Sequence, residues 1–366
     1  MFVFLTIIKS ILSSKYNEIM IKGQISVSQQ QWGEYFGKPV YLFRIENSAG
    51  SYAELTNYGA TLVSAVMPDK AGNFENVILG YHSLAGYVAD ECYLGATIGR
   101  FANRIGGARF TLDGEVFKLD ANDGENSNHS GEAGFNARVF DYELFDDGIA
   151  FTLQSPAGDG GFPGNLTLTV TYRFMDANQL CISYDAVTDA ATITNFTNHA
   201  YFNLSAKGEG IFDHALEVYA DALLDVDAAY IPTGLIKLVA DKALDGSIIR
   251  SKIKANDGKL TGFNDCFLLK NAGDNPLKPA AKLVDNASGR TLEVSTTYPA
   301  VMVYTGDYLD CQPNGNFLRP FKPFDGLCLE CQYYPDSPNH AHFPSTILRP
   351  GDNYHQVIVY KFGVVL

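Results

Sequence analysis

The sequence predicts an all-β protein, a large antiparallel β-sandwich with a few short helices. Three observations predict it. From about Val40 onward, short β-branched and aromatic runs alternate with Gly, Asn and Asp clusters, and 34 glycines supply turns. Helical periodicity is weak everywhere, with one- or two-turn candidates at Asp90 to Gly95 and Ile248 to Ile253. No linker or fixed-period repeat divides the 366 residues, so residues 23–366 read as one domain, behind an N-terminal extension over 1–22.

The expected strands include Val40 to Ile45, Thr61 to Pro68, Arg109 to Leu112, Glu115 to Leu119, Leu166 to Phe174, Leu180 to Val187 and Ala191 to Asn203. Later ones are Ala215 to Tyr219, Arg290 to Thr297, Val301 to Thr305, Gly326 to Tyr333 and Gln356 to Val364. Such strands must bury one face on a second sheet.

Charge and cysteine content narrow the partners. Asp plus Glu number 41 against 27 Lys plus Arg, and no basic stripe exists to neutralise a phosphate backbone. A neutral small molecule fits this balance, and nucleic acid does not. Six cysteines in a chain of this length are too sparse for a disulfide scaffold, so reduced thiols in the cytoplasm are expected. Cys328 and Cys331 form a C-x-x-C on a predicted strand, where residues three apart point to opposite faces and cannot readily share one ion. The apolar start, Met1 to Ile8, lacks a preceding basic region and a small-x-small cleavage site, and a start placed too far upstream of Met20 explains it equally well. No other stretch is apolar enough to cross a bilayer.

Two strands carry residues suited to chemistry. Along Thr194 to Leu204, period two puts Asn195, Thr197, His199, Tyr201 and Asn203 on one polar side, with Phe196, Ala200, Phe202 and Leu204 opposite and Asn198 the exception among them. A polar row with an aromatic suits a cleft for sugar hydroxyls, although a hydrated outer face has the same pattern. In Gly326 to Tyr334, Glu330 stands mid-strand among apolar residues, where burial raises a carboxyl's pKa and makes it a better base near neutral pH. The alternative is an exposed glutamate on a solvated face. His340 and His342 have a metal-compatible spacing but no third ligand in view, so no metal is expected.

Six pieces in order, from roughly Tyr41 to the C-terminus, resemble the galactose mutarotase (aldose 1-epimerase) family. They are Asn57-Tyr58-Gly59-Ala60-Thr61, Gly99 to Ile105, Gly160 to Leu166, Thr197 to Leu204, Pro335-Asp336-Ser337-Pro338-Asn339 and Leu348-Arg349-Pro350-Gly351. The resemblance implies the family's supersandwich fold, no cofactor and exchange of the α and β anomers of a free aldose, in a monomer or homodimer. By motif, His199 resembles the acid that protonates the ring oxygen and Glu330 the base that takes the proton from the anomeric hydroxyl. Asn103, Arg104, His129 and Tyr201 resemble positions that hold sugar hydroxyls.

On that reading the rate follows a bell in pH, with the lower limb set by Glu330 and the upper by His199. Three departures bear on sugar preference: Asn264 with Asp265 beside it where the family usually has an aspartate, Met302 where many members have glutamine, and Ser130 for a usual glycine. A hexose 6-phosphate substrate would need arginines or lysines converging on the site, for which Arg100 and Arg104 are the candidates. A non-catalytic sugar-binding sandwich would be marked by loss of His199 or Glu330, and both are present.

Overall fold

A computed structural model describes residues 18–22, 25–175, 177–256, 258–270, 276–312 and 314–365. Three antiparallel sheets organise them. The first is a six-stranded meander in the order Glu18–Lys22, Ile25–Tyr35, Lys38–Asn47, Tyr52–Thr56, Thr61–Pro68 and Phe74–Asn76. The second has nine strands, with Leu166–Met175, Gln179–Thr188 and Tyr354–Val364 at its centre. The third runs Tyr201–Phe202, Leu327–Gln332, Ala300–Tyr304, Asn264–Leu269, Ala220–Val226 and Pro232–Leu238.

Alternation of side chains explains how the sheets pack. In Leu166–Met175 every second residue, Leu166, Leu168, Val170, Tyr172 and Phe174, is buried, and Leu180, Ile182, Tyr184 and Ala186 repeat the pattern on the neighbouring strand. These residues share one core with Phe43 and Leu55 of the first sheet and Phe267, Val303, Leu327 and Leu329 of the third. A fully buried side chain of this kind contributes on the order of 1.5–3 kcal/mol.

Four expectations need correction. Glu18–Lys22 pairs as an edge strand with residues 25–29, so strand pairing reaches into the expected extension, of which residues 1–17 lie outside the described residues. The turn Asp90 to Gly95 is not a helix; the one α-helix among the described residues is Leu84–Val88, and Ile249–Ser251 is a single 3-10 turn. Ala191 to Asn203 is broken into Thr192–Ile193, Thr197–Asn198 and Tyr201–Phe202, because its amides serve neighbouring loops rather than one ladder. Finally, Cys92 and Cys311, 219 residues apart in sequence, are joined by a disulfide. Cysteine counting missed it because nothing in the spacing signals a pair brought together only by the fold. The C-x-x-C sulfurs do lie on opposite faces, Cys331 in the main core and Cys328 in a second cluster with Tyr201.

Phe151 is fully buried between Phe43 and Tyr172, at ring-centroid separations of 5.6 and 6.0 Å. Phe151→Ala is therefore expected to lower stability by about 3–5 kcal/mol, read as a lower urea midpoint with unchanged slope.

Candidate active site

The site is built outward from one backbone lock. Asn198 donates from Nδ2 to the carbonyl of Gly95 at 2.8 Å, and its Oδ1 accepts from Ala200 N–H. Gly95 N–H donates to His199 O and His199 N–H to Ala96 O, each at 2.9 Å, so the chain on both sides of His199 is fixed. Gly95 has φ +67°, and a Cβ there would meet Leu62 O at 2.0 Å; only glycine fits. The polar exception on the apolar side of the predicted strand is thus a structural residue.

His199 meets Glu330 at the floor of a cavity of about 760 Å3, in the size range of small-molecule sites. Its Nε2 is 3.6 Å from Glu330 Oε2, and its Nδ1 is 3.5 Å from Cys328 Sγ. His199 is 5 % exposed and Glu330 2 %, so both charged forms are poorly solvated. Burial pushes Glu330 up to about 8, against a smaller opposing pull from Arg104, and pushes His199 down to about 4.

His129 forms a second edge. Asn103 N–H donates to His129 Nδ1 at 3.1 Å, while His129 N–H donates to Asn103 O at 3.2 Å. Because Nδ1 accepts, the proton of the neutral ring sits on Nε2, and burial keeps the ring neutral by lowering its pKa well below the usual value. His129, His199 and Glu330 each offer a donor atom within 4.8 Å of the others. A cation would need a lone pair on His129 Nε2, which the Asn103 contact denies, so the trio suits a hydroxyl-bearing ligand better than a metal. Ser130, at φ +71°, stands in the left-handed region where the family usually has glycine, and its hydroxyl accepts from Phe101 N–H and donates to Phe101 O, tying this loop to the segment before Asn103.

Arg104 lines the cavity with Nε held 2.7 Å from Asp123 and its guanidinium over the Tyr230 ring. The Pro335-to-Asn339 loop does not line the cavity. It bolts Arg104 down from behind, Asp336 N–H donating to Arg104 O and Asp336 Oδ1 accepting from Gly106 N–H. His340 pairs with Asp336, and His342 Nε2 lies 2.8 Å from Gly234 O.

Several predicted residues take other roles. Arg100 is 1 % exposed and spends its guanidinium on the carbonyls of Ser155, Pro163 and Gly164, so it is a structural post and not an anion ligand. Asn195 and Asn203 hold the carbonyls of Ala102, Tyr333 and Asp325. Tyr201 lines the cavity, but its hydroxyl donates to Cys92 O at 3.1 Å, so what it presents is chiefly its ring. Asn264, opposite Tyr304 in the ladder, faces the cavity; Asp265 faces away and pairs with Lys242 at 2.5 Å, because Asn264–Leu269 is a regular strand in which neighbours point oppositely. Met302, opposite Glu330 in the ladder, packs with Cys266 and Phe343.

Sequence reasoning missed the aromatic walls. Tyr93 lies 4.7 Å from the His129 ring and 5.8 Å from His199, and Tyr304, Tyr230 and Tyr308 complete the rim, the last two joined by hydroxyls 2.8 Å apart. Tyrosines in Asp- and Gly-containing turns were the available signal.

The chain and fold that carry this histidine and carboxyl are similar to those of known proteins. The aldose 1-epimerase family model matches residues 41–361. The chain belongs to the aldose 1-epimerase family. It is 37 % identical over 347 residues to the mouse galactose mutarotase, covering 93 % of this chain and 99 % of that one. To the Escherichia coli aldose 1-epimerase it is 39 % identical over 334 residues, covering 89 % and 96 %. An aldose epimerase homologue from C. elegans superposes with TM-score 0.82 at 31 % identity, covering 87 % of this chain and 97 % of that one. The galactose 1-epimerase of Lactobacillus acidophilus gives 0.80 at 29 %, covering 93 % and 99 %. In this aldose 1-epimerase family member, no helix among the described residues is long and apolar enough to cross a membrane.

Because Asn264 faces the cavity and Asp265 does not, Asn264→Asp is expected to lower KM for galactose roughly fivefold, the equivalent of about 1 kcal/mol gained by a charged acceptor. Asp265→Asn is expected to leave KM within twofold, by initial rates over a range of sugar concentration.

Proposed function

We propose that the protein interconverts the α and β anomers of free aldohexoses such as galactose and glucose, with Glu330 and His199 as the base and acid. The observation that carries this reading is their convergence. The two oxygens that exchange protons in hemiacetal opening hang on one carbon, so the acid and base must sit side by side, and 3.6 Å between Nε2 and Oε2 supplies that. Glycoside hydrolysis instead uses two carboxyls about 5–9.5 Å apart flanking a bond.

In the first half-reaction Glu330 takes the proton from the anomeric hydroxyl as His199 delivers one to the ring oxygen. The C1–O5 bond breaks and an open-chain aldehyde remains. Rotation about C1–C2 and reversal of both transfers close the other anomer, with no water consumed. Opening converts a charged carboxylate–imidazolium pair into a neutral carboxylic acid and imidazole. The buried floor favours that neutral pair in the free protein as well, so the reactive arrangement is reached by moving the pair's one proton from Glu330 to His199, and ring opening returns the pair to its resting neutral state. His129 Nε2–H, Arg104, Asn103 and Asn264 border the cavity as donors and acceptors for the remaining hydroxyls, and Tyr93 and Tyr201 offer apolar ring surface.

A phosphorylated sugar fits poorly. Arg104 is the one Lys or Arg among the described lining residues and is already paired with Asp123, while Glu91, Glu125 and Asp227 add negative charge.

The active pair holds one proton in total. With His199 near 4 and Glu330 near 8, that state prevails between the two, so the limbs are assigned in reverse of the sequence-based expectation. Below about 4 His199 gains a second proton, leaving no site to accept the anomeric one. Above about 8 Glu330 loses the last proton, leaving none for the ring oxygen. We expect polarimetric rates with fresh α-D-galactose to be flat between these limits and to fall outside them; a profile that rises through pH 8 contradicts the assignment. Glu330→Gln is expected to lower kcat by about 10²–10⁴-fold, and a variant at wild-type rate rules the glutamate out.

A further inference from the structure

We propose that Cys92 and Cys311 form a thiol–disulfide modification site that controls the geometry of the sugar cavity. The proposal rests on the functional reading above. The bond joins two segments that border the cavity but belong to different parts of the fold.

On one side, Cys92 itself lines the cavity. Its N–H donates to Asp90 Oδ1 at 3.1 Å, Leu94 N–H donates to Asp90 Oδ2 at 2.7 Å, and its carbonyl accepts from the Tyr201 hydroxyl. The next residue, Tyr93, at φ +61°, lays its ring against both His129 and His199. Two residues further on, Gly95 is hydrogen-bonded to His199 O. A shift of Cys92 is thus transmitted to the walls around the acid by direct contacts.

On the other side, Cys311 lies in the long connection between Ala300–Tyr304 and Leu327–Gln332, whose described residues contain no strand longer than an isolated bridge from Cys311 to Phe321. Connections of this length without secondary structure of their own are uncommon and usually functional. Tyr308 and Leu309 from it line the cavity, and Tyr308 meets Tyr230 across the rim. The disulfide ties the middle of this connection to the turn behind the histidines, with Cα atoms 6.3 Å apart. Cys311 is 2 % exposed, while Cys92 is half-buried at the cavity wall, so a reductant reaches the bond from the cavity side.

Reduction is a two-electron step. A dithiol or two equivalents of a low-molecular-weight thiol break the Cys92–Cys311 bond, leaving two S–H groups, and the reductant leaves as its own disulfide. In a reducing compartment such bonds are transient and regulatory, and in an oxidising one they persist; the site reports whichever poise surrounds it.

The test compares air-oxidised wild-type protein with the same protein reduced by dithiothreitol, the gain of two alkylatable thiols being verified by mass. Anomer exchange of α-D-galactose is followed by polarimetry and galactose binding by calorimetry. Reduction is expected to lower kcat/KM roughly tenfold, inside the ~10²-fold range that a displacement of about 1 Å can cost, and to weaken galactose binding; reoxidation restores both. Cys311→Ser is expected to show the reduced-state values with or without dithiol. Verified reduction that leaves rate and binding unchanged overturns the proposal while leaving the functional reading standing. If neither redox state accelerates exchange or binds galactose, the functional reading fails and the proposal with it.

Discussion

Burying an imidazole and a carboxyl side by side is the constraint on which this structure depends. Neither His199 nor Glu330 is stable as an isolated charge at 5 % and 2 % exposure, and burial drives each toward its neutral form. The arrangement makes chemical sense only with one proton shared between them and a ligand that exchanges two protons at one carbon. A hemiacetal is such a ligand. On the proposed mechanism, the same desolvation that would be a liability in a merely structural pair sets the proton inventory of the reaction.

Much of the surrounding fold holds that pair still. Asn198, Gly95 and Ala96 fix the backbone of His199 from behind, while Glu330 is held mid-strand in a sheet whose other face joins the main core through Leu327, Leu329 and Cys331. Arg104 is restrained by Asp123 at its side chain and by Asp336 at its backbone. Residues that looked like ligands in the sequence, Arg100 above all, prove to be anchors for these supports. The buried amides of Asn195, Asn198 and Asn203 each satisfy a loop carbonyl that no ladder reaches.

The fold class was legible because period-two burial is a local property: the residues of Leu166–Met175 read the same way in sequence and in space. His199 and Glu330 were legible too, the first as part of a polar row and the second as a carboxylate out of place among apolar neighbours. What could not be read was which members of the polar row face a ligand and which face a loop. That depends on breaks in the strand at residues 194–196 and 199–200, set by partners about a hundred residues away such as Gly95 and Ala102. The disulfide and the tyrosine rim were hidden for the same reason, since Cys92 and Cys311, and Tyr230 and Tyr308, meet only after the sheets have formed. The Asn264 and Asp265 ambiguity, by contrast, was resolved by strand regularity alone.

The most direct test is to read the protons on the pair in the free protein. Nuclear magnetic resonance of ¹⁵N-histidine and ¹³C-glutamate protein, assigned with His199 and Glu330 variants, reports both groups in one titration. At pH 6 the account predicts a neutral His199 ring and a protonated Glu330 carboxyl, the latter titrating near 8. An imidazolium facing a carboxylate at that pH would contradict it, and would show that the cavity floor solvates charge far better than its burial implies.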